Sequence, residues 1–159
     1  MTRRNEVTGA VDAVRRLVRG LRLAEQRTRL EAGLSAAQLF VLDELARAAA
    51  ASLGELADRT MTDRSSVAAV VDRLEDAGLV ETRRARTDRR RVLVQLTAAG
   101  RRRVVSSAPA PTVLLVRALE ALPPADLAGL TRHLGALIGA MGLADGPATM
   151  LFEDPGARR

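Results

Sequence analysis

The apolar positions of this chain change period along its length, and each period predicts a different element. Val7, Val11, Val14, Val18 and Leu21 recur at spacings of four, three, four and three, which is a heptad seam on a helix over residues 5 to 31. Arg15, Arg16, Arg19 and Arg22 stay off that line. Such a stripe needs a partner; it could pack within the chain, but so narrow a seam at a terminus suits a helix that pairs with the terminal helices of a second copy.

The middle of the chain reads as short capped helices. Ser35-Ala-Ala-Gln38 and Ser52-Leu-Gly-Glu55 both fit the capping box, in which a hydroxyl caps the third helical amide and the later side chain reaches back. Helices therefore start near residues 36 and 53, the first turning Leu39, Val41, Leu42 and Leu45 inward. After Thr60-Met61-Thr62, Asp63 caps a helix over 63 to 77 in which Val67, Val70, Val71 and Leu74 keep the i, i+3, i+4, i+7 spacing. Gly78 supplies the left-handed end, and a strand begins at Leu79. The stretch Arg83-Arg84-Ala-Arg86-Thr-Asp88-Arg89-Arg90-Arg91, followed by the alternating Val92-Leu-Val94-Gln-Leu96, predicts a basic β-hairpin, with a solvated charged loop as the plainer alternative. Thr97 closes it and caps a helix from Ala98.

The order helix-turn-helix, hairpin, helix is the winged-helix arrangement, so the fold class is mainly α with a small β-hairpin wing. Pro109 and Pro111 each remove a backbone donor and predict a helix that is kinked or split there. Val113 to Leu122 is almost wholly apolar and should be buried on most sides. Pro124 opens a last helix whose stripe is Leu127, Leu130, Leu134, Leu137, Ile138 and Met141. The resulting expectation is one domain over 1–159: a winged helix-turn-helix at 35–100, a helical dimerisation region from 5–31 and 101–141, and an irregular tail at 142–159.

Charge then points to a partner. All 25 basic residues are Arg, against 19 acidic ones, for a net charge of +6. That sign predicts a polyanion. The Arg residues crowd positions 83 to 103 instead of lining a long amphipathic helix, which favours nucleic acid over a membrane surface. No apolar run reaches the ~18 residues of a membrane span and no apolar signal core follows the start, so a cytoplasmic location is expected. With two Phe and neither Trp nor Tyr, stacking on single-stranded bases lacks its platforms, and duplex DNA remains.

Other chemistries drop out. Zero Cys removes disulfides, thiolate metal sites and thiol nucleophiles, and the lone His133 builds no histidine-rich metal cluster, so neither a metal nor a cofactor is expected. Ser65 or Ser66 as an enzymatic nucleophile would lack a base.

Three segments carry a family resemblance: Leu53-Gly-Glu-Leu-Ala-Asp-Arg59, Ser66-Val-Ala-Ala-Val-Val-Asp-Arg-Leu-Glu-Asp-Ala-Gly-Leu-Val80, and Asp88-Arg-Arg-Arg-Val-Leu-Val-Gln-Leu-Thr-Ala-Ala-Gly100. The chain resembles the multiple antibiotic resistance regulator (MarR) family of winged helix-turn-helix transcription regulators. The resemblance implies a homodimer on a pseudo-palindromic operator, usually a repressor, with helix 63 to 77 in the major groove and the wing in the neighbouring minor groove. Facing outward on that helix, Ser65, Ser66, Ala68 and Ala69 would meet base edges, and Arg64 and Arg73 would meet phosphates. Arg90 matches the family's wing-tip Arg, Asp88 would orient it, and Arg83, Arg84, Arg86, Arg89 and Arg91 would add phosphate contacts. Two departures stand out. Ala68 and Ala69 replace larger polar side chains, which leans toward shape readout or a nonspecific architectural DNA-binding protein, and Met61 occupies a turn position where the family often has Gly. The family also binds small, frequently aromatic or anionic effectors, and a break at Pro109 would open a cavity for one.

Overall fold

The computed structural model describes residues 2–84, 91–144 and 149–153. In chain order the elements are α1 (Arg3–Ala32), α2 (Ala36–Ala46), α3 (Leu53–Thr60), α4 (Arg64–Asp76), β1 (Val80–Arg84), β2 (Val92–Leu96), α5 (Ala98–Ser106), α6 (Pro111–Glu120) and α7 (Pro124–Ala140).

The core forms around α2, because Ala36, Ala37, Leu39, Phe40, Val41, Leu42 and Leu45 are buried on all sides of that helix. A helix apolar all round has to be central. Both predicted capping boxes are present: the Gln38 amide donates to the Ser35 hydroxyl and the Glu55 amide to that of Ser52, while the Gln38 and Glu55 side chains accept from the amides of Ser35 and Ser52. Val67, Val70, Val71 and Leu74 seal α4 onto this core as their spacing requires. Leu79, Val80, Val94 and Leu96 close it from the hairpin side.

The hairpin is antiparallel, running from Val80 opposite Leu96 to Arg84 opposite Val92. Ala51, just before α3, bridges its other edge through two bonds with Val94. Gly78 takes φ +68° to turn the chain from α4 into β1, a conformation that costs glycine nothing.

One expectation, the burial of the apolar run 113 to 122, needs correction, and the bounds of three others are sharpened. The first helix is longer than 5 to 31 by two residues at its start and one at its end. The two prolines split the helix outright: α5 stops at Ser106, the chain extends through Ala110, and α6 restarts with Pro111 in its first turn, where a missing N–H costs nothing. The apolar run 113 to 122 is not buried on most sides. Val113 is, but Leu114 is 52% exposed and Leu115, Val116, Leu119 and Leu122 are half-buried. Beyond residue 142 no regular element is found among the described residues, yet the segment is not idle, since Met150 is buried in the core.

The heptad seam of α1 lies open along the chain, with Val7 56% and Val14 46% exposed. Ala32 is the only buried residue of that helix, and α7 buries none. Two anchors hold the C-terminal end of α1. The Glu25 carboxylate accepts from the Ala36 amide at 2.8 Å and from Arg29 at 2.6 Å, and the Arg103 guanidinium of α5 donates to the Ala32 carbonyl.

Candidate nucleic-acid interface

The helix-turn-helix is α3 and α4, joined through Met61 and Thr62. Met61 sits at φ +53°, ψ +42°, a left-handed conformation that L residues avoid, and its side chain is 64% exposed. The turn at the predicted position is thus built without the glycine that would suit it.

Asp63 starts α4. Its carboxylate accepts from the Ser65 hydroxyl, from the Ser66 hydroxyl at 2.7 Å and from the Ser66 amide at 2.9 Å. Those donors, the Ser65 hydroxyl foremost, hold the Asp63 carboxyl well below the ordinary carboxylate range. An anion thereby already occupies the positive end of the α4 dipole, a place where a DNA phosphate could otherwise dock.

This capping corrects one site residue. Ser66 does not face outward: it is buried, its hydroxyl committed to Asp63, and it belongs to the cap. Arg64 and Ser65 are exposed in the first turn, and Ala68, Ala69 and Arg73 are half-buried behind them. The outward surface of α4 thus carries small side chains and the guanidinium groups of Arg64 and Arg73, with the exposed carboxylate of Asp72 among them.

On the wing, Arg83 and Arg84 stand exposed at the end of β1. Arg86, Asp88, Arg89 and Arg90 lie outside the described residues. Arg91 is placed differently from the expectation. Its guanidinium pairs with Glu55 of α3 at 3.1 Å, so its charge is directed at the helix-turn-helix. The Ser52 amide and hydroxyl, with Arg91 beside them, hold the Glu55 carboxyl below its usual range.

Two further contacts went unread in the sequence. Glu75 in the last turn of α4 accepts from the Thr82 amide at 3.0 Å and from the Thr82 hydroxyl at 2.9 Å. Thr97, besides capping α5, donates its hydroxyl to the carbonyls of Gly78 and Leu79. Gly100 lies one helical turn on, so close that an added Cβ would fall 2.0 Å from the Leu79 oxygen. The Thr-Ala-Ala-Gly spacing was visible as a cap; that the glycine is the seat for the end of the α4–β1 turn was not.

Away from this surface, a cavity of about 450 Å³ opens between α1 and the α5–α6 break. Arg27, Thr28 and Glu31 of α1 face Ser106, Ser107 and Pro109 across it, with Leu23, Leu39 and Leu114 as apolar wall. No group of three or more His, Asp or Glu side chains is placed to hold a metal ion among the described residues, and none of their helices is long and apolar enough to cross a membrane.

A MarR family model matches residues 32–91. Among solved structures, the chain is similar to BpsR of Bordetella bronchiseptica, whose DNA binding is regulated by 6-hydroxynicotinic acid, at 30% identity and a TM-score of 0.56, covering 84% of this chain and 93% of that one. It is similar to Sco3205 of Streptomyces coelicolor, a MarR family transcriptional regulator solved in complex with DNA, at 24% identity and a TM-score of 0.58, covering 92% and 95% of the two chains. AbsC from the same organism, another MarR family regulator, gives 24% identity and a TM-score of 0.58, with 89% and 97% covered. No curated protein matches the chain.

Proposed function

The chain belongs to the MarR family of winged-helix transcriptional regulators, and from that premise we propose that it binds duplex DNA as a homodimer on a pseudo-palindromic operator. In this reading α4 enters the major groove with Arg64 and Arg73 on phosphates and Ser65, Ala68 and Ala69 toward base edges. The wing's Arg83, Arg84, Arg86, Arg89 and Arg90, with Asp88 orienting Arg90, meet the adjacent backbone and minor groove. Arg91 acts through Glu55 instead. The action is repression, relieved by a small molecule.

The observation that carries the reading is the pair of uncovered apolar faces beside the helix-turn-helix and its hairpin. Val7, Val11, Val14 and Val18 on α1 and Leu130, Leu134, Leu137, Ile138 and Met141 at the other end are all exposed, and Leu21 and Leu127 are half-buried beside them. A soluble chain does not keep two such stripes in water. Two recognition helices one helical turn of DNA apart also require a dimer to hold them. The cavity at the α5–α6 break suits a small aromatic anion, with Arg27 for its charge and Leu23, Leu39 and Leu114 for its ring; BpsR, regulated by 6-hydroxynicotinic acid, supports that chemistry.

Val14→Asp tests the assembly. A carboxylate on the closed seam would be desolvated without a partner, at about 3–5 kcal/mol, so dimer and operator affinity should be lost together. Sedimentation at micromolar concentration and a mobility shift on a duplex enriched from a random pool are the measurements. A folded monomeric wild type that still protects a two-fold site would refute the proposal. A second reading, nonspecific architectural binding, is favoured by the absence of base-reading donors at Ala68 and Ala69. It predicts no preference over random duplex, where a regulator shows ~10³-fold or more.

A further inference from the structure

Reading two grooves at once requires the recognition helix and the wing to be held at a set distance, and one side chain joins them. Glu75 lies in the last turn of α4, and its Oε1 takes both the amide and the hydroxyl of Thr82. Thr82 stands opposite Val94 in the hairpin. Val94 spends both of its main-chain groups on Ala51, donating at 2.7 Å and accepting at 3.0 Å. In an antiparallel ladder the alternation then makes Thr82 and Val94 a pair that does not bond across, so the Thr82 amide points to the outer edge of β1.

Among the described residues that edge has no neighbouring strand. The carboxylate of Glu75 stands where one would be, and the root of the wing is gripped at a single level from both sides, by the main chain of Ala51 and by the side chain of Glu75. Arg83 and Arg84 follow Thr82 directly, so the level of the grip sets where they leave the body of the protein.

Charge alone would argue against an acid here. A carboxylate at the end of the helix that approaches phosphates is repelled by them, and an exposed Glu adds little to stability. The geometry points to Glu75 as a positioning residue that fixes the wing against the recognition helix and thereby raises affinity for specific over random DNA. The inference rests on the DNA-binding reading above.

The two effects of Glu75 have opposite signs, which makes them separable. The full-length protein and its Glu75→Ala, Glu75→Gln, Arg83→Ala and Glu75→Ala/Arg83→Ala variants are compared on two probes, a duplex enriched by the wild type from a random pool and a scrambled duplex of equal length. Glu75→Ala should weaken the enriched duplex by roughly tenfold, the scale of one lost wing contact, while binding to the scrambled duplex holds or tightens. Glu75→Gln keeps an acceptor for Thr82 and should stay within about threefold of wild type on the enriched duplex. The double variant should lose less than the product of the two single losses, because a displaced wing has already withdrawn Arg83. Hydrogen exchange at the Thr82 amide reports the grip without DNA, fast in Glu75→Ala and protected in Glu75→Gln.

Unchanged or equally tightened binding of both duplexes by Glu75→Ala would overturn the inference while leaving the DNA reading standing. Equal losses for Ala and Gln would overturn it too, since charge and not position would then be the cause. A wild type that enriches no sequence overturns the DNA reading itself, and the inference with it.

Discussion

Replacing Gly100 by Ala puts a methyl group into the seam between α5 and the start of the wing. An ideal Cβ there lies 2.0 Å from the Leu79 carbonyl oxygen, 3.1 Å from its carbon and 3.2 Å from a Leu96 methyl. An ordinary carbon–oxygen contact is about 3.4 Å or more, so α5 has to retreat by over ~1 Å in a region packed like a crystal. The retreat strains a close-packed contact, at about 1–3 kcal/mol. It also pulls Thr97 from the same carbonyl, which now accepts from the Thr97 amide at 3.1 Å and from its hydroxyl at 3.2 Å. Each of those bonds is worth about 1 kcal/mol net. Alanine returns roughly 1 kcal/mol through its better helix propensity. The net destabilisation is about 2–4 kcal/mol, or on the order of 10 °C in Tm for a chain of this size.

Urea and thermal unfolding of Gly100→Ala measure this directly, with Gly9→Ala as the control. Gly9 lies off the valine seam of α1 with nothing within 4 Å of an added Cβ, so its alanine should stabilise by about 0.5–1 kcal/mol. Should Gly100→Ala unfold within 1 kcal/mol of wild type, the close approach of α5 to Leu79 would be wrong, and with it the account of how the wing is seated.

Two further predictions address local conformation and charge. Met61→Gly should be neutral to about 1 kcal/mol more stable, because the left-handed conformation costs an L residue about 1–2 kcal/mol while glycine's extra unfolded-state entropy returns part of that; Met61→Ile should be less stable than wild type, and a chemical denaturation series ordering Ile above Gly would contradict the backbone assignment. Burial pushes the Asp43 carboxyl up, against the opposing pull of the Ala110 amide, Arg47 and Arg117. Its folded-state value thus lies above the unfolded one, so its contribution is fully present below the unfolded carboxylate range and is lost as pH rises through the folded value. The stability difference between wild type and Asp43→Asn should accordingly shift in favour of wild type as pH is lowered from 7 toward 4 and be flat near pH 7 to 8; a difference that does not vary with pH would refute the raised value.

How far each element could be read from the sequence depended on the range of the interaction that builds it. Ser35 with Gln38 and Ser52 with Glu55 are three residues apart, and a capping box is complete within that span, so both helix starts were readable. Asp63 was readable as a cap for the same reason. Its reach was not: a carboxylate taking two successive serines draws Ser66 inward, and a rule that assigns outward faces by helical spacing alone leaves that residue in the wrong place. Arg91 and Glu55 are 36 residues apart, and Glu75 and Thr82 lie on different elements, so only the packed chain brings either pair together. Within so basic a stretch, no local signal marks Arg91 as a residue that faces Glu55.

The apolar run from Val113 to Leu122 failed differently. Hydropathy states which residues water should not cover, and it is silent about what covers them. Within the chain Val113 is buried while Leu114 is not, although both are apolar, and the same separation runs through α1, where Ala32 is covered and Val14 is open. The central helices satisfy their pattern internally because α2 is surrounded by α3, α4, α5, α6 and β2. Among the described residues the terminal helices have no such surroundings. In the proposed homodimer an apolar periodicity that the single chain leaves in water is information about the assembly, and its residues Val7 to Val18 and Leu130 to Met141 are those on which dimer formation and DNA binding should fail together.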